Sequence, residues 1–109
     1  MPVQCARLRL KPGSLPRVRE WAAELTRRRD EVMATLRDET VRVESAFLES
    51  SADGDFLVYY MRVDDLETSR HAAETSTHPI DAYHRAVMKE IVESRAMLTP
   101  LFDFERLDK

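Results

Sequence analysis

The chain is poor in several residue types, and each shortage excludes something. Cys5 is the only cysteine in 109 residues, so no internal disulfide can form and a reducing, cytosolic setting is expected. It lies in an expected strand, where a small buried hydrophobe and a reactive nucleophile are the two readings. Gly13 and Gly54 are the only glycines, too few for a phosphate-cradling loop. Nothing resembles a nucleophile elbow or a paired-cysteine motif. No apolar run approaches the roughly 20 residues of a membrane span. The start, MPVQCARLRLKPG, lacks the basic-then-apolar layout of a signal peptide. A cytoplasmic location is expected.

Positive and negative charges nearly balance. The net charge is −3, which gives no electrostatic reason to expect nucleic acid or an anionic membrane as partner. Lys11, Lys89 and Lys109 are the only lysines, so arginine carries nearly all the positive charge. His78 and His84 are six residues apart, a poor spacing for one helical metal face, and no metal or other cofactor is expected.

What remains is an ordinary globular balance, 43% apolar and 34% charged, in a chain long enough for one core and one domain over residues 1–109. Val3–Leu10 alternates as a strand and stops at Lys11-Pro12-Gly13. Ser14 is placed to cap a helix from Leu15 to about Glu39, with Pro16 in its first turn. The apolar stripe of that helix is Leu15, Val18, Ala22, Leu25, Val32 and Leu36, with Trp21 and Met33 on the flanks. Arg29 interrupts it.

Val41–Ser51 and Phe56–Val63 alternate on either side of Asp53-Gly54, a strong hairpin signal. With those two residues as the loop, Leu48 pairs with Tyr59, Ala46 with Met61 and Phe47 with Tyr60. Asp64-Asp65 cap a short helix over about Leu66–Thr75. Pro79 opens another helix, expected to reach about Met97. Pro100 then breaks the chain before a final edge strand over Leu101–Leu107. The order is βαββαβ, an α+β arrangement with helices on one face of an antiparallel sheet.

The other sheet face would show Cys5, Arg7, Arg9, Phe47, Glu49, Val58, Tyr60 and Arg62. Phe56 and Val58 are awkward in water, and a homodimer stacking two such faces is the economical solution. A solvated monomer sheet is the alternative.

The layout resembles the ferredoxin-like proteins of the dimeric α+β barrel superfamily. That superfamily includes antibiotic-biosynthesis-type monooxygenases, haem-degrading enzymes, muconolactone isomerases and sugar mutarotases. More closely, VESAFLE (Val43 to Glu49), FLVYYMR (Phe56 to Arg62) and HPIDAYH (His78 to His84) resemble a bacterial domain family of unknown function. The resemblance implies a dimeric barrel fold and brings no activity with it. Unlike the mutarotases, the long first helix contains no histidine.

The chemistry-bearing residues cluster near HPIDAYH. On a helical wheel Ile80, Val87 and Ile91 form the buried stripe, with Tyr83 on its flank, and His84 points towards the sheet. His84 is either a core histidine bonded to a neighbour or a general acid/base. Asp81 either caps the helix, orients His84 or pairs with Arg85, and His78 is either a surface turn residue or a ligand contact. His71 faces solvent. Arg29 needs a partner, which Glu44 can supply. If Arg29, His84 and Tyr59 meet between helices and sheet, they form an anion holder, an acid/base and a phenolic donor.

The leading expectation is a dimeric small-molecule-binding protein with cofactor-free acid/base chemistry of isomerase type, acting on a small polar organic ligand. His84 and Tyr59 would be catalytic, and Arg29, His78, Asp81 and Glu44 would bind. The alternatives are a non-catalytic dimeric module and a cofactor-free monooxygenase.

Overall fold

The computed structural model describes residues 2–106. Its elements are β1 (Val3–Leu10), α1 (Leu15–Arg27), α2 (Arg29–Asp38), β2 (Val41–Ser51), β3 (Gly54–Val63), α3 (Leu66–Thr75), α4 (Pro79–Ile91) and β4 (Val92–Met97). The strands form one antiparallel sheet in the order β2-β3-β1-β4, the ferredoxin-like arrangement of the split βαβ unit.

The β2–β3 pairing carries an instructive register. Leu48 faces Leu57, Ala46 faces Tyr59 and Ser51 faces Gly54, so Ala52-Asp53 form the loop rather than Asp53-Gly54. Gly54 takes φ 130°, a conformation that glycine adopts without a Cβ penalty. The register is displaced by two residues from the expected one, and a two-residue displacement leaves every side chain on its own face. Towards the start of β2 the pairing shifts again. Val41 faces Val63 but Val43 faces Arg62, leaving Arg42 as a bulge. The bulge turns both Val41 and Glu44 to the helix side.

Three expectations about element ends are corrected. The long first helix breaks at Arg28, whose φ −102° and ψ 37° lie outside the helical range. The break follows neither glycine nor proline. The last helix ends at Ile91, and Val92 passes directly into β4. Without β4 the free edge of β1 would have no ladder partner, and this tertiary demand overrides the helical pattern through Met97. Residues 101–106 are consequently not the edge strand; Leu107 lies outside the described residues. Ser14 occupies the first N-cap position, but its side chain makes no capping bond. Asp65 does cap α3, accepting from the Thr68 amide at 3.0 Å.

The core is divided. One cluster joins Leu8, Leu10, Val18, Trp21, Leu57, Val87, Met88 and Ile91, and a second joins Leu36, Val41 and Val63. Trp21 is only 3% exposed, so it belongs to the centre of the α1 stripe, while Ala22 is exposed. On the open face Phe56 is also buried, at 3% exposure. The Arg7 and Arg9 guanidiniums lie 3.6 Å and 4.6 Å from its ring centroid, and Arg7 Nε donates to Glu49 at 2.9 Å. The chain thus roofs one of its awkward open-face residues with arginine planes.

Candidate active site

A cavity of about 410 Å3 lies between the helices and the sheet, with lining residues drawn from both core clusters. Its polar lining includes Glu39, Glu44, Tyr59, Asp81 and His84, with Arg85, Arg95 and Gln4 beside them. The core divides where these polar groups point inwards, because carboxyls cannot complete an apolar contact.

His84 reaches the cavity through helical spacing. It follows buried Ile80 by four residues and precedes buried Val87 by three, placing all three on the sheet side of α4. Trp21 projects from α1 in the same way, three residues after buried Val18. The two meet: the indole Nε1–H donates to His84 Nδ1 at 3.1 Å. An accepting Nδ1 carries no proton, so the neutral ring holds its hydrogen on Nε2. Burial lowers the His84 pKa below its ordinary value, nearby Asp81 opposes this, and Arg85 and Arg95 reinforce it. Tyr59 completes an aromatic cluster, its ring centroid 6.1 Å from His84 and 6.3 Å from Trp21.

The opposite wall is acidic. Glu44 and the Tyr59 phenol stand close enough to act on one another. Burial raises the Glu44 pKa, the Tyr59 hydroxyl pulls it down, and Asp81 adds to the rise. The Tyr59 phenol is pushed far up by burial and then by the Glu44 charge. Glu39 ends α2, where Thr40 takes the left-handed φ of 55° to turn the chain into β2. Burial, followed by the charges of Asp81, Glu44 and Asp38, pushes Glu39 up to about 7. Such a carboxyl both gives and takes a proton near neutrality.

His84, Tyr59, Glu44 and Asp81 therefore line one cavity. Asp81 also serves the helix entrance: it accepts from the Ser76 hydroxyl, which accepts from the His78 amide at 3.2 Å. His78 stands outside the cavity lining, with Nε2 at 2.7 Å from Asp38 Oδ2. His71 is exposed, as expected.

Arg29 is the main positional correction. The break at Arg28 takes it out of the apolar stripe, and it is exposed. It lines a shallower cleft of about 300 Å3 that also touches Glu44 and Tyr59. No ion pair joins it to Glu44 among the described residues. Sequence reasoning also passed over Glu39, Arg95 and the bond from Trp21 to His84. The last two depend on the β4 edge and on a contact across 63 residues, for which a single sequence carries no signal.

Among the described residues no three histidine, cysteine or carboxylate groups are arranged to hold a metal ion. No helix among them is long and apolar enough to cross a membrane.

Solved structures share this fold. Rv0793 from Mycobacterium tuberculosis is 21% identical, with a TM-score of 0.56 over 94% of this chain and 97% of that one. A dimeric protein of unknown function and ferredoxin-like fold from Bacteroides fragilis is 18% identical, with a TM-score of 0.55 over 88% and 90%. A Bacteroides thetaiotaomicron protein, described provisionally as an antibiotic biosynthesis monooxygenase, is 18% identical, with a TM-score of 0.59 over 97% and 94%. At these identities the likeness concerns the fold. No curated protein matches the chain in sequence. The model of a family of unknown function, DUF6176, matches residues 1–109, and the chain belongs to that family.

Proposed function

We propose that the cavity binds a small polar organic molecule and that the protein moves a proton on it without a cofactor, as an isomerase does. The observation that carries this reading is the composition of one 410 Å3 space: a histidine, a phenol and carboxyls surrounded by apolar residues. Polar groups that converge on a cavity with apolar walls are the usual make-up of a ligand site.

The residues divide the work as follows. His84 offers its Nε2–H to a carbonyl or hydroxyl oxygen of the ligand. Glu39, poised near neutrality, exchanges the proton with the adjacent carbon or oxygen. The Tyr59–Glu44 pair shapes the wall and presents the phenolic oxygen. Arg85 and Arg95 stand at the lining where an anionic substituent would lie, a place that Arg29 does not share. The protein works as a homodimer through its open sheet face, on which Phe47 is 61% exposed. The dimeric description of the ferredoxin-like B. fragilis protein supports this assembly.

The test uses Trp21, the only tryptophan, whose fluorescence reports on the cavity through its bond to His84. Enolisable keto acids, hydroxy acids and phenols are titrated, and deuterium uptake from D2O is followed by proton NMR. The proposal expects at least one class to change the fluorescence and to exchange its proton, with exchange lost in Glu39→Gln. Binding without exchange would favour a non-catalytic module, and no response from any class would overturn the site.

A second reading, cofactor-free oxygenation, draws on the Trp21–Tyr59–His84 aromatic cluster and on the description of the B. thetaiotaomicron protein. Oxygen consumption with an electron-rich phenol, absent from the isomerase reading, separates the two.

A further inference from the structure

The 410 Å3 cavity and the 300 Å3 cleft adjoin: Leu25, Val32, Leu36, Glu44 and Tyr59 line both. The sheet register gives the two spaces a common floor. Ala46 faces Tyr59, Tyr59 faces Ala6, and Ala6 faces Met97, so one row of side chains crosses all four strands from β2 to β4. Ala46 lines the cleft, and Ala6 and Met97 line the cavity. Three inter-strand spacings make the row about 14 Å long. Its floor is low at each alanine, and the Tyr59 ring between them is the one ridge across it.

Each end of the row carries arginine. At the β4 end stands Arg95, two residues from Met97 and so on the same face of its strand. With Arg85 of α4 it lines the cavity, and both lie near enough to His84 to depress its pKa. At the β2 end Arg29 is the only charged group lining the cleft besides Glu44. All three arginines are exposed, and among the described residues none of them joins an ion pair. The carboxyls of the cavity therefore leave them unpaired. A negative charge on a ligand is repelled beside Glu44 in the shared wall and meets an available guanidinium at either end.

We infer that the ligand is an elongated organic diacid lying along this row, with one acidic group on Arg85 and Arg95 and the other on Arg29. This rests on the ligand site proposed above and names its substrate class. The body of the ligand passes over Ala6 and Ala46 and beneath Leu25, Val32 and Leu36, where apolar surface is buried on both sides. The planar guanidinium matches a carboxylate in a bidentate pair. Because the two ends lie three strands apart, a short acid satisfies only one of them. The middle of the ligand lies at Tyr59, whose ring centroid is 6.1 Å from that of His84. A carbonyl or hydroxyl in mid-chain is thereby brought to the acid/base groups.

Isothermal titration calorimetry of the full chain tests this with straight-chain dicarboxylic acids from four to fourteen carbons, beside the monocarboxylic acid of each length. A spanning ligand predicts an optimum chain length, at which the diacid binds at least about tenfold more tightly than its monoacid. Arg29→Gln should abolish that preference, and so should Arg85→Gln/Arg95→Gln. All three positions are exposed, and circular dichroism checks that the variants are folded. Ala46→Phe, which raises the floor of the cleft, should weaken the long diacids as well. Diacid binding with no optimum length, a preference that survives Arg29→Gln, or no binding of any diacid would each overturn the spanning ligand. Deuterium exchange of short keto acids by the wild type then decides the underlying site: exchange that persists leaves the proposed function standing, and its absence removes both.

Discussion

The Trp21 indole gives its hydrogen to His84 Nδ1 at 3.1 Å, and this one bond decides what the histidine can do. A ring that accepts at Nδ1 and is buried stays neutral and donates from Nε2. In the proposed function such a ring is the hydrogen-bond donor to a ligand oxygen, and the acid/base task falls to a carboxyl. Trp21→Phe should release the constraint: the His84 pKa should rise towards its ordinary value, because the neutral form loses its bond. The fold should lose about 1 to 3 kcal/mol from the missing bond and the smaller ring. Histidine titration by NMR and urea unfolding measure the two effects.

Glu39 makes a pH prediction with a definite sign. Folding raises its pKa from 4.5 to about 7, so the folded state holds the proton more tightly. Its contribution to stability is full below 4.5 and is lost as pH rises through about 7. His84 acts in the opposite sense: its lowered pKa means stability that is lost as pH falls below the ordinary histidine range. Glu39→Gln should remove the first effect alone. Relative to wild type, the variant should gain on the order of 1 kcal/mol between pH 5 and pH 8, a modest figure because the half-buried carboxyl is screened by solvent. Chemical denaturation at both pH values checks it.

The roof over Phe56 predicts an asymmetry. Arg7 stacks on the ring at 3.6 Å and also pairs with Glu49. The ion pair is substantially exposed and should contribute little, whereas the stacking covers a large apolar ring. Arg7→Ala should cost about 1 kcal/mol, and Glu49→Ala less than half of that, measured by urea unfolding in high salt.

Asp65 should behave as a simple helix cap. Its carboxylate accepts from the Thr68 amide at 3.0 Å, and Asp65→Ala should cost about 1 kcal/mol, with Asp65→Asn close to neutral. Thermal unfolding of the three proteins decides.

The architecture was legible where periodicity and punctuation agree. Lys11-Pro12-Gly13, Asp65 and Pro79 mark element starts and stops that the structure keeps, and α3 spans Leu66–Thr75 as expected. The placement of His84 on the sheet side followed from Ile80 and Val87 alone. What could not be read depended on distant partners. Val92–Met97 continues a helical pattern, and only the open edge of β1 makes it a strand. The Arg42 bulge, which turns Glu44 inwards, arises from pairing with β3. The Arg28 break, which puts Arg29 in solvent, has no glycine or proline to announce it.

The most direct test is nitrogen NMR of histidine-labelled protein titrated from pH 8 to pH 5. The Trp21–His84 bond predicts that His84 keeps a pyridine-type Nδ1 and a protonated Nε2 at pH 6.5, with its own protonation appearing only at lower pH. A protonated Nδ1, or a fully charged imidazolium at pH 6.5, would contradict it and return the acid/base role to His84 itself.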